Sequence, residues 1–127
     1  MLILAVATLL LPFQASALSV RQYESQSKTQ RAETVATAID KIVADVDRVN
    51  PTLSKTIHEY FYVIPQGQPG TPGLIAFGTE LVAVENRADQ GKLDLDKVQI
   101  EGILLDVVKT GVIKKQPPKD KQPSAAQ

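Results

Sequence analysis

A chain of 127 residues has the length of one domain, and with no cysteine it can form no disulfide, thiolate metal site or thiol nucleophile. Fourteen basic residues balance fourteen acidic ones, and aromatic residues make up 5% of the chain. With no net field and few stacking side chains, the composition argues against nucleic acid as a partner.

Residues 2–11, Leu-Ile-Leu-Ala-Val-Ala-Thr-Leu-Leu-Leu, form an uncharged apolar run. That is well short of the roughly 20 residues a membrane span needs, and it suits the hydrophobic stretch of a secretory signal. Pro12 ends the run, and Ala15-Ser16-Ala17 supplies the small residues a signal peptidase takes, so cleavage is expected before Leu18. No Lys or Arg precedes the run; the charge usual there would come from the amino terminus or from residues upstream of Met1. The expectation is a periplasmic or secreted protein with no stable membrane insertion after cleavage. A retained N-terminal anchor helix is the alternative.

Ser19 to Thr34 is polar, with two S-x-x-Q starts, Ser19…Gln22 and Ser27…Gln30, that can act as capping boxes. From Val35 the pattern becomes helical: Val35, Ile39, Ile42, Val46 and Val49 recur at steps of four and three, opposite Asp40, Lys41, Asp45, Asp47 and Arg48. Asn50-Pro51 ends this helix and starts a second, with Asn50 as cap and Pro51 in the first helical position. The second helix, 51–64, gathers Leu53, Ile57, Tyr60, Phe61 and Ile64 on one face. Its end, residues 60–64, also reads as a short strand, because aromatic and β-branched residues favour strands.

Residues 65–73 are a Pro/Gly loop. Thr71-Pro72 opens a third helix that carries a Leu74–Leu81–Ala88 stripe to about Gln90, where Gly91 can supply a left-handed turn. Leu93-Asp94 reads as the start of a fourth helix, with Asp94 capping and Leu93 stapled onto Val98; Gly111-Val112 reads as a Schellman ending. Lys114 to Gln127 is rich in Pro, Lys and Gln and is expected to be disordered. The predicted architecture is all-α: a bundle of about four helices over 18–113, between a signal peptide at 1–17 and a tail at 114–127.

Chemistry has few places to reside. On the fourth helix Val98, Ile100, Ile103, Leu104, Leu105, Val107 and Val108 make a wide apolar arc, and Glu101 falls inside it. A carboxylate there must be paired, neutralised or directed into a cavity, and Lys97 one turn earlier is the expected partner. Glu85 holds a similar boundary position on the third helix. Two inward-leaning carboxylates are the raw material of an acid/base pair or a metal site, although their spacing matches no named motif. His58, the only histidine, cannot build a zinc site alone, and no cofactor or metal is expected. Tyr60-Phe61-Tyr62 beside the loop is a candidate binding surface, with Phe61 assigned to the core and Tyr60, Tyr62 and His58 left for a partner. Gly78 and Gly102 fall mid-helix, where close approach of two helices would offset the cost of glycine.

Val20-Arg-Gln-Tyr23, then a helix, a Pro/Gly loop, a helix, a break, and Lys92-Leu-Asp-Leu-Asp-Lys97 running into an apolar last helix together resemble the small periplasmic immunity proteins of the Tai/Rap type. The resemblance spans most of residues 20–110 and is one of pattern; the chain departs from that family in having no cysteine. It implies a helical, non-enzymatic protein that neutralises a type VI secretion effector by binding it. The reading is therefore an exported, non-enzymatic helical domain that binds another protein. A small-molecule binder with an apolar cavity gated by the 65–73 loop is the first alternative, and an enzyme using Glu85 and Glu101 the second; oligomeric state is left open.

Overall fold

The computed structural model describes residues 18–115. The predicted signal peptide and residues 116–127 of the predicted tail lie outside the described residues. Those described form a small all-α bundle of five helices: α1 (Val20–Glu24), α2 (Lys28–Asp47), α3 (Pro51–Tyr62), α4 (Pro72–Asp89) and α5 (Ile100–Val108). A π-helical turn, Lys109–Ile113, continues α5.

Local chemistry fixes most helix starts. Both capping boxes form: the amides of Gln22 and Gln30 donate to Ser19 Oγ and Ser27 Oγ, and each glutamine side chain accepts the serine amide in return at 3.0 Å. Ser27 therefore starts α2 seven residues ahead of the apolar stripe that announces it at Val35. Asn50 and Thr71 cap α3 and α4 with proline in the first turn of each. Gly91 ends α4 at φ 76°, with its amide on the Ala88 carbonyl and the Lys92 amide on that of Arg87, a Schellman closure.

Three expected elements differ. Residues 60–62 are the last turn of α3 and no strand, but the helix does not reach Ile64: it stops at Tyr62 because Ile64 precedes Pro65, whose ring disfavours helical backbone before it. The fourth helix begins at Ile100, and Asp94 caps no helix; its carboxylate accepts the Asp96 amide at 2.9 Å and makes a local turn. The preceding segment lies instead beside the start of the domain. Val20 N–H donates to the Val98 carbonyl at 2.8 Å and Ile100 N–H to that of Leu18 at 2.9 Å, around an isolated antiparallel bridge between Ser19 and Gln99. Finally, Gly111 takes no left-handed turn, and the chain winds on through the π turn, with Lys114 N–H on the Lys109 carbonyl.

The core is centred on Phe61 and Ile57 of α3, Ile39 of α2, Ile100 and Leu104 of α5 and Val20 of α1, all fully buried. Each such side chain contributes about 1.5–3 kcal/mol of burial. The Ser54 hydroxyl ties α3 to α2 through the Val43 carbonyl. Two stripes are displaced from expectation. Val49 is 83% exposed, because α2 ends at Asp47. On α4, Phe77 and Val84 face the core, Leu81 packs at its margin and Leu74 is exposed. Gly78 and Gly102 have open space where a Cβ would stand, so they serve no close approach of α4 and α5; the tight glycine contacts are instead with α3, Gly73 of α4 against Phe61 and Gly111 of the π turn against Tyr60.

Candidate functional site

The end of α3 gathers most of the candidate binding residues. Helical spacing turns Ile57 and Phe61 inward, so the residues flanking Phe61 emerge on either side of the buried stripe. Tyr60 is half-buried, its ring edge-on to Phe61 at 5.4 Å and against Gly111 of the π turn; burial raises its pKa. Tyr62 turns outward, 41% exposed. Its hydroxyl donates to Asp40 Oδ1 of α2 at 2.8 Å, and its pKa is pushed up to about 12, first by burial and then by that carboxylate. The exposed His58 ring lies 4.7 Å from that of Tyr62, tilted by 42°. His58, Tyr62 and Asp40 thus make one polar-edged aromatic strip across α2 and α3.

Beyond Tyr62 the backbone is extended, and Val63 and Ile64 stand exposed where a helical end would have laid Ile64 on the core face. A groove of about 560 Å³ runs beside them, lined by Thr56, Glu59, Tyr60, Val63, Pro72 and Val112 among others. It is open to solvent, as is a second groove of about 620 Å³ on the other side of Tyr60 and Gly111, which carries Glu80, Asp106 and Lys109.

Glu85 and Glu101 have separate partners. Glu101 pairs with Lys41 of α2, Nζ to Oε2 3.2 Å, and not with Lys97. Lys97 lies in the turn before α5, with its amide on the Asp94 carbonyl, so the i, i+4 geometry of a single helix is not available to it. Glu85 meets Glu24 of α1. A hydrogen bond between these carboxyls, then burial, then the charges of Glu24 and Asp89 push the Glu85 pKa up to about 7. Neither carboxylate lines either groove. Among the described residues no group of three His, Asp or Glu side chains is placed to hold a metal, and no helix is long and apolar enough to cross a membrane.

Sequence reading missed Val63, Ile64 and Asp40 as members of this surface. The signal for the first two was Pro65, which ends the helix before Ile64 can reach the core. Asp40 carried none, because its link to Tyr62 spans 22 residues. No protein-family model, curated protein or solved structure matches the chain.

Proposed function

We propose that this chain is an exported, non-catalytic helical domain that binds another protein through the end of α3. The observation that carries the reading is the run Tyr62-Val63-Ile64, 41%, 51% and 58% exposed, beside a groove able to receive a partner side chain. Large apolar side chains held outward are costly in water and gain most when a partner covers them. Tyr62 is held by its bond to Asp40 and Pro65 limits the backbone that follows, so little conformational entropy remains to be lost on docking. The pattern resemblance implies a secreted effector as the partner and the periplasm as the place. The groove also lies within the range of about 300–1,000 Å³ of small-molecule pockets, which favours a ligand-binding second reading. Its open form and its Glu59 and Lys115 walls suit a side chain of a larger partner better.

The test is capture from an envelope extract, identification of the bound protein, and titration of that purified partner. Ile64→Asp and Tyr62→Ala should each weaken binding by about 1–3 kcal/mol, Tyr62→Phe should retain most of the affinity, and Glu101→Gln should leave it unchanged. Wild-type affinity in both Ile64→Asp and Tyr62→Ala, or a turnover activity abolished by Glu101→Gln, would overturn the reading.

A further inference from the structure

The described chain leaves the bundle at Lys115, and Lys115 lines the groove beside Val63. Twelve residues follow it, beginning Gln116-Pro117-Pro118-Lys119-Asp120-Lys121. That sequence starts at the mouth of the groove, and the walls match its chemistry. Tyr60, Val63, Pro65 and Pro72 give the groove aromatic and apolar sides, and Glu59 gives it an acidic edge. Aromatic-lined grooves take proline-rich segments, because the polyproline II helix is formed before binding and loses little entropy on docking.

Donors and acceptors agree as well. Two consecutive prolines carry no N–H, so covering them strands no backbone donor, and their carbonyls call only for a donor from the groove. Half-buried Tyr60 offers one. The Tyr62 hydroxyl is engaged by Asp40, whereas that of Tyr60 meets no acceptor among the described residues and lies over Gly111, where no side chain blocks it. Glu59 is exposed, forms no ion pair among the described residues, and complements the lysines that follow the prolines. An exposed pair of this kind sets register more than affinity. Reach is sufficient. From Thr56 to Val63 the groove follows seven helical steps of about 1.5 Å, about 10 Å, and six extended residues cover about 19 Å. A direct tether holds such a segment at an effective concentration of the order of millimolar, so a contact too weak to form between separate molecules is enough.

We propose that the groove beside Val63 is the docking site of residues 116–121 of this chain, with Pro117 and Pro118 against Tyr60 and Val63 and the lysines after them at Glu59. The docked segment covers Val63 and competes with the partner, which must displace it. The competition rests on the reading of Tyr62-Val63-Ile64 as the partner surface; the docking does not.

With no native cysteine, a nitroxide can be placed at a single site in the full chain through Gln122→Cys. Its broadening of backbone amide signals should be concentrated on Thr56, Glu59 and Val63. In the same labelled chain, Pro117→Ser together with Pro118→Ser should relieve that broadening several-fold and leave the melting curve in place. Equal broadening in the serine variant would overturn the docking, as would broadening at Lys109, in the groove on the other side of Tyr60, as strong as at Val63. With the captured and purified partner, the serine variant should bind several-fold tighter than the wild type. Unchanged affinity once docking is lost would overturn the competition. Wild-type affinity in Ile64→Asp would instead overturn the assignment of the partner surface and leave the docking in place.

Discussion

At Gly111 and Gly78 one added methyl group meets opposite surroundings. A Cβ on Gly111 would overlap the hydroxyl end of Tyr60, and Tyr60 is itself wedged edge-on against the fully buried Phe61. Gly111→Ala is therefore expected to destabilise the fold by about 1–3 kcal/mol, as overpacking does. A Cβ on Gly78 meets open space, so Gly78→Ala should stabilise the fold by up to ~1 kcal/mol through helix propensity alone. Leu104→Ala, at a fully buried position, should cost about 2–5 kcal/mol. Denaturant midpoints of the three variants check signs and order, and a stabilising Gly111→Ala would mean that Tyr60 does not pack on the π turn. The two glycines look alike in the sequence. What separates them is a tyrosine about fifty residues upstream of one and open space beside the other.

α1 shows how an element too short to stand alone is held by its neighbours, since an isolated helix of five residues has no stability in water. Val20 is buried, Tyr23 sits edge-on to Phe77 of α4 at 6.1 Å, and Arg21 pairs with Asp96 at 3.0 Å. The carboxyl pair Glu24–Glu85 belongs to the same contact. Because the folded Glu85 pKa is raised from 4.5 to about 7, the folded chain holds its proton where the unfolded chain has lost it. The stabilisation is complete below pH about 4.5 and is lost as pH rises through 7. Melting temperature should fall from pH 5 to pH 8 in the wild type, and Glu85→Gln should flatten that fall; an unchanged slope in the variant would remove the pair from the account. Helix starts were legible because each cap lies within three residues of what it caps, as with Ser19 and Gln22. Residues 93–99 were misread because the apolar Leu93, Leu95 and Val98 mimic a helix start, while the segment's hydrogen-bonding partner, Leu18 to Arg21, lies at the other end of the domain. Glu101 was misread for the same reason: its lysine is 60 residues away.

For the molecule as a whole, the decisive question is where the working chain begins. The apolar run and Ala15-Ser16-Ala17 predict cleavage before Leu18, a residue whose carbonyl accepts the Ile100 amide at 2.9 Å. Ser19 follows as the cap of α1, and Val20 enters the core. A cut before Leu18 thus spares every one of these contacts, whereas a cut two residues later would remove both the Leu18 carbonyl and the Ser19 cap, the latter alone worth about 0.5–2 kcal/mol. The expected outcome is that protein recovered from the cell envelope or medium has Leu18 as its first residue and melts at the same temperature as a chain expressed from Leu18 behind a removable tag. N-terminal sequencing and a thermal melt check the two halves of that statement. Abundant cytoplasmic protein with Met1 intact would overturn export, and with it the choice of an envelope extract as the place to look for the partner.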